Sequence, residues 1–247
     1  MSEPRGSVGE ARGTLGTVRN AVLLLDLLSE GPAYQQLTDL ADRSGLSVPT
    51  AHRLLRSLVL ADLVEQDSKT SRYSLGPEVA RLSQRYLGRL PVLGALSPYL
   101  VSLRDTLDAT VHVALLVRES VVYVDRVDGH DGGPYRESHR VADALDSPAG
   151  RLLASRADDS AWRQSLAETS RSLDGEPDDL RKAWSQASYL ASEPSDPFPE
   201  VAVVVPDAGG LAVAALSATL GTAGDAATIA QHLARAATAA GRTLGHG

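Results

Sequence analysis

Gly45-Leu46-Ser47-Val48-Pro49-Thr50-Ala51-His52-Arg53-Leu54-Leu55-Arg56-Ser57-Leu58 is the stretch that decides the fold. Val48, Ala51, Leu54, Leu55 and Leu58 recur at three- and four-residue spacing and predict the buried stripe of a helix. Thr50, His52, Arg53, Arg56 and Ser57 are left on its other, basic and polar side. Ser47 is placed to cap this helix by accepting from the amide of Thr50, and Pro49 lies in the first turn, where its missing N–H costs nothing. Just upstream, Gly45 can take the left-handed conformation that follows a helix C-terminus, ending a short helix around Leu37, Leu40 and Ala41. Two helices across so tight a turn, the second with a cationic face, suit insertion into a major groove.

Outward from this pair, Val18, Ala21, Val22, Leu24, Leu25 and Leu28 predict a helix from Thr17 to Ser29, capped by Thr17 and ended by Gly31-Pro32. Downstream, Leu63-Val64-Glu65 and Arg72-Tyr73-Ser74-Leu75 read as a hairpin around the turn Gln66 to Ser71, closed by Gly76-Pro77, with Tyr73 packing inward. The expected organisation is a disordered tail over 1–14, a winged helix-turn-helix over 15–76, a linker helix over 77–90 and a second domain over 91–247. That second domain reads as α+β with a mostly antiparallel sheet. Its predicted parts are a helix after Pro91, a hairpin of His112 to Val117 with Val121 to Val127, a flexible loop from Gly129 to Tyr135 and a helix over Ala149 to Ala154. A helical stretch from Trp162 to Leu190, a hairpin of Val201 to Val205 with Leu211 to Leu216, and a final helix from Thr222 to Gly241 complete it.

The 247 residues are 43% hydrophobic and 22% charged, an ordinary globular composition at a length that favours two domains. There is no cysteine, which removes disulfides, thiolate catalysis and cysteine-ligated zinc. No apolar run matches a signal peptide or a membrane span, so a cytoplasmic protein without a membrane partner is expected. The net charge of −7 is uneven: residues 1–90 hold 11 Lys+Arg against 10 Asp+Glu, and residues 91–247 hold 13 against 21. The first part can approach a polyanion that the second repels.

Double-stranded DNA is therefore the expected partner. Ser47, Thr50, His52, Arg53, Arg56 and Ser57 are the candidates on the helix, and Lys69 and Arg72 on the wing. The sequence lacks G-x-S-x-G, a P-loop, a Rossmann glycine fingerprint and H-E-x-x-H. His112, His130, His139, His232 and His246 are scattered, and Asp125, Asp128 and Asp131 lack ligand spacing, with Asp125-Arg126 readable as a structural ion pair. No catalytic residue, metal or cofactor is expected. Two other readings stay open: an enzyme or small-molecule-binding protein whose winged helix makes protein contacts, and a DNA binder whose second domain only dimerises.

Thr17-Val18-Arg19-Asn20-Ala21, Leu37-Thr38-Asp39-Leu40-Ala41, the Thr50-Ala51-His52-Arg53-Leu54-Leu55 helix and Arg72-Tyr73-Ser74-Leu75-Gly76 stand in this order. In this the sequence closely resembles the isocitrate-lyase-regulator (IclR) family of bacterial transcription factors. The resemblance implies a winged helix-turn-helix, a linker helix and a GAF-like effector-binding domain assembled as homodimers or dimers of dimers. It also implies an operator whose binding is modulated by a small-molecule effector. Ala149-Gly150-Arg151-Leu152-Leu153-Ala154 looks like the family's A-G-[KR]-x-x-L-A segment, and Leu216-Ser217 like its strand ending in L-S. Ala149, Gly150, Glu193, Glu200 and Ser217 are the effector-site residues so implied. Where the family has G-V-x-C-I-A, this chain has Pro197-Phe198-Pro199-Glu200-Val201-Ala202; Glu200 takes the cysteine position, Glu193 keeps an upstream acid and an aspartate is lost. Glu200 then either points into the effector cavity or is a sheet-edge charge, and the cavity either binds a ligand or has degenerated.

Overall fold

The computed structural model describes residues 8–130, 141–169, 172–193, 199–220 and 225–244. Residues 1–7, most of the Gly129 to Tyr135 loop, Asp131, His139, Pro197, Phe198 and His246 lie outside them. The chain divides into two compact units, Met1–Gly88 and Arg89–Gly247.

In the first unit α1 (Val8–Glu30) precedes α2 (Leu37–Ser44), α3 (Val48–Leu60), the hairpin β1 (Val64–Gln66) with β2 (Tyr73–Leu75), and α4 (Pro77–Leu87). Leu24, Leu27 and Leu28 of α1 close against Leu40, Leu54, Leu55, Leu58, Val64 and Tyr73. Each leucine fully removed from water there contributes on the order of 1.5–3 kcal/mol. Four expectations need correction. Helix α1 begins at Val8, so Thr17 lies inside it instead of capping it, and residues 8–14 are helical, not part of a disordered tail. Between Val8 and Thr17 there is no proline, and a glycine weakens a helix by about 1 kcal/mol without breaking it. Val18 and Val22 are exposed and Leu27 is buried in their stead, because Val22 sits roughly half a turn away from Leu24. Val48, in the first turn of α3, is also exposed.

The second unit opens with α5 (Pro91–Leu107), followed by β3 (Val111–Val117), β4 (Ser120–Val127), β5 (Val141–Asp143) and a 3-10 turn at Ala144–Asp146. Then come α6 (Pro148–Arg156), α7 (Asp159–Glu168), α8 (Pro177–Gln186), β6 (Leu190–Ala191), β7 (Glu200–Pro206), β8 (Ala212–Thr219) and α9 (Ala226–Leu244). The strands form one sheet in the order β5-β4-β3-β8-β7-β6, every neighbouring pair antiparallel. Alternation along the strands gives its faces different chemistry. Val111, Val113, Leu115, Val201, Val203, Val205 and Leu216 pack with Leu96 and Leu100 of α5 and Leu233 and Ala237 of α9. Smaller residues, Ala114, Ala202 and Ala215, lie with Val121 and Tyr123 against Ala149, Leu152 and Leu153 of α6.

The stretch from Trp162 to Leu190 is not one helix. Thr169 closes α7, Gly175 takes φ 147°, Pro177 starts α8 at a position that needs no N–H, and Leu190 belongs to a strand. The last described helix starts at Ala226, with Asp225 accepting from the amides of Ala227 and Thr228, and the expected start at Thr222 lies outside the described residues. Arg126 Nε pairs with Asp128 at 2.5 Å, whereas Asp125 Oδ1 accepts from the Arg126 amide, so the guanidinium's partner is Asp128 and not Asp125. No described helix is long and apolar enough to cross a membrane, and the described residues hold no group of three or more His, Asp or Glu fit for a metal ion.

Candidate functional site

The α2–α3 turn is set by Gly45, whose φ of 66° lets its amide reach Asp42 O at 3.2 Å and the Leu46 amide reach Ala41 O at 3.1 Å. Helix α3 buries Ala51, Leu54, Leu55 and Leu58 behind it, leaving His52, Arg53, Arg56 and Ser57 exposed and Thr50 half-buried. Ser47 does not cap through a backbone amide. Its hydroxyl is 2.8 Å from the Thr50 hydroxyl, a side-chain pair that takes the place of the N-cap bond. Ser57 Oγ donates to Arg53 O at 3.1 Å within the helix, which leaves its oxygen able to accept.

The wing is built on Asp67. Its Oδ1 accepts from the Thr70 amide at 2.6 Å, the Thr70 hydroxyl at 2.7 Å and the Lys69 amide at 3.1 Å. The Thr70 hydroxyl first, then the Thr70 amide, holds this carboxyl below its ordinary range. Lys69 and Arg72 are exposed on the turn so made, and among the described residues no ion pair engages Lys69, Arg72, Arg53 or Arg56. Tyr73 packs inward at 1% exposure. Burial pushes its phenol up, and the nearby Arg56 acts in the opposite sense, which places that cation beside the wing. A third backbone segment locks the hairpin: Gln35 and Tyr73 exchange both N–H···O bonds at 2.8 Å. Buried Gln35 also donates Nε2 to Leu27 O and accepts from Arg43. Nothing in the local pattern around Gln35 signals this, because its partners lie in other elements. Gly76 ends the wing where an added Cβ would sit 2.2 Å from Asp62 O, so the closing glycine is a steric requirement.

A second cluster lies in the other unit, on the sheet face under α6. Glu200 is 3% exposed and on β7, an interior strand between β8 and β6, so it is no sheet-edge charge. Its Oε1 accepts from the Tyr123 hydroxyl at 2.8 Å and from the Ala149 amide at 3.3 Å, and its Oε2 from the Ser217 hydroxyl at 2.9 Å. Of the five residues named from the sequence, Ala149, Glu200 and Ser217 meet directly. Gly150 is adjacent, packed so that a Cβ would fall 2.0 Å from Ala144 O, and Glu193 stands exposed beyond the end of β6. Tyr123 and Ser147 are members that sequence reading missed. Strand alternation puts Tyr123 on the right face, and Ser147 precedes Pro148 as a helix N-cap should, its Oγ accepting from Gly150 N.

A tight helix pair with a basic outer face, a locked hairpin wing and a separate six-stranded unit define a two-unit winged helix-turn-helix protein. Residues 17–68 match the IclR helix-turn-helix domain. The chain is 32% identical over 111 residues to the glycerol operon regulatory protein of Streptomyces coelicolor, covering 45% of this chain and 44% of that one. The matched region thus spans about half the length of the curated relatives. The IclR transcriptional regulator of Alicyclobacillus acidocaldarius superimposes with a TM-score of 0.74 at 24% identity, covering 93% of this chain and 99% of that one. An IclR homologue from Microbacterium hydrocarbonoxydans, crystallised with 4-hydroxybenzoate, gives 0.69 at 21% identity, covering 92% and 98%. At those identities the two likenesses are of fold. The family match covers the helix-turn-helix of the first unit, and the likeness of fold extends over both units.

Proposed function

We propose that this chain is a DNA-binding transcriptional regulator, not an enzyme, acting in the cytoplasm as a homodimer, alone or paired into a dimer of dimers. Each subunit places α3 in one half-site of a pseudo-palindromic operator, so the two-fold symmetry of the protein is mirrored in the DNA. The observation that carries this reading is the face of α3: His52, Arg53, Arg56 and Ser57 exposed on a helix whose opposite side is anchored in the core. Arg53 and Arg56 reach base edges or phosphates, Ser47, Thr50, His52 and Ser57 supply polar contacts, and Lys69 with Arg72 follow the backbone from the wing. The second unit oligomerises and senses a small molecule, with Ala149, Gly150, Glu200 and Ser217 around its effector site and Glu193 at its margin. Support comes from the ligand-bound fold relative. Effector binding shifts the population of operator-competent dimers, relayed through the 77–90 segment.

Genomic footprinting to find bound sites, followed by fluorescence anisotropy on those duplexes against scrambled ones, tests the proposal. Binding falls steeply with salt, and Arg53→Ala weakens specific binding by about 1–3 kcal/mol with relaxed preference at one position. Equal affinity of parent and variant for every duplex removes Arg53 from the interface.

A further inference from the structure

Every amide in the first turn of α6 that has a hydrogen to give already gives it within the chain. Pro148 has none, the Ala149 amide goes to Glu200 Oε1 at 3.3 Å, Gly150 to Ser147 Oγ at 3.1 Å, and Arg151 to Ser147 O at 2.9 Å. Two hydroxyls, from Tyr123 and Ser217, converge on the same carboxylate. Ala114, Ala202 and Ala215 are the small residues on the sheet face around it. A helix N-terminus with two added hydroxyl donors is a receptor for an anion, and charge-assisted bonds of this sort are the strong ones. Here the anion is a side chain of β7.

We propose that Glu200 is a built-in anion: its carboxylate occupies from within the donors at the start of α6, so that this site excludes carboxylate effectors. The inference rests on the reading of the second unit as a sensor and narrows the effector to a molecule without an acid group. An incoming acid has to displace Glu200 from three donors, and it brings a like charge beside a buried carboxylate, where both lose solvation.

Truncating the side chain turns the occupant into a vacancy of the same chemistry, which a free carboxylate can fill. Thermal unfolding of the full chain is followed in sodium chloride, acetate and benzoate at equal ionic strength. Glu200→Ala unfolds at lower temperature in chloride and regains stability with a saturable dependence on acetate, as linkage to a bound ligand requires. Wild type and Glu200→Gln, whose sites stay filled, gain no more in acetate or benzoate than in chloride, which also controls for general salt effects. If Glu200→Ala is insoluble in chloride, recovery in acetate alone supports the proposal and insolubility in both overturns it. So does the absence of an acetate-specific gain in Glu200→Ala, or a saturable gain in the wild type. A panel of neutral and cationic metabolites on the wild type tests the sensor reading separately: rescue by acetate with no stabilising metabolite leaves the built-in anion standing and removes the sensor.

Discussion

The Tyr123 hydroxyl donates to Glu200 Oε1 at 2.8 Å, tying β4 to β7 although β3 and β8 lie between them in the sheet. Tyr123→Phe removes one donor and leaves the rest of the ring packed against His112, 5.5 Å away edge to face. The buried carboxylate then loses part of its compensation, at a cost of about 1–3 kcal/mol. Both tryptophans, Trp162 and Trp184, lie in this unit, so their fluorescence reads its unfolding. In urea the midpoint should fall with an unchanged slope. An unchanged midpoint means the hydroxyl contributes nothing to the cluster.

Gly150 gives a steric prediction with its own control. A Cβ there meets Ala144 O at 2.0 Å, so Gly150→Ala has to move α6 off the Ala144–Asp146 turn, disturbing the Ser147 cap and the Ala149 bond to Glu200 together. The loss should exceed the roughly 1–3 kcal/mol typical of overpacking. Gly94, inside α5 with nothing within 4 Å of its added Cβ, should tolerate alanine and gain up to about 1 kcal/mol. Equal effects at the two positions in the same denaturation assay would contradict the packing argument.

What was legible in the sequence was whatever a short-range pattern encodes. Ala51, Leu54, Leu55 and Leu58 announce the buried side of α3, and Gly45 its preceding turn, because both follow from helix geometry alone. Val18 and Val22 misled for the same reason: from Ala21 to Leu28 every residue of α1 but Asp26 is apolar, and periodicity does not say which side meets a core. The resemblance grouped Glu200 with Ala149 and Ser217, but no short-range pattern does. The Glu200 partners Tyr123 and Ala149 are 77 and 51 residues away, and only the sheet order and the packing of α6 on the sheet bring them together. Gln35 is a parallel case in the first unit, a polar residue in a loop that is buried as the third edge of the wing.

Asp67 makes the wing sensitive to acid. Its carboxyl is held below its ordinary value of 3.8, chiefly by the Thr70 hydroxyl. A depressed folded-state value means the contribution is complete above the unfolded value and is lost as pH falls through the folded one. Asp67→Ala should therefore be less stable than wild type near neutral pH, and the gap should narrow as the pH falls through the folded-state value, measured by calorimetry on the full chain. A gap that persists undiminished in acid would show that the aspartate acts through something other than its charge.

Lys69 and Arg53 are both exposed cations of the first unit, and they should fail differently. Lys69 is carried on a turn whose backbone is fixed by Asp67, and its single point charge lacks the planar fork of an arginine. If Lys69 neutralises a phosphate as proposed, Lys69→Ala lowers the slope of log affinity against log salt by about 0.9 and weakens all duplexes alike. Arg53 projects from α3, whose far side is buried; if it reads a base edge as proposed, Arg53→Ala removes a bidentate donor and changes the ranking of duplexes that differ at one position. Affinities for matched and mismatched sites across a salt series separate the two. If Lys69→Ala alters sequence preference while leaving the slope alone, the wing, and not α3, is the part that reads bases.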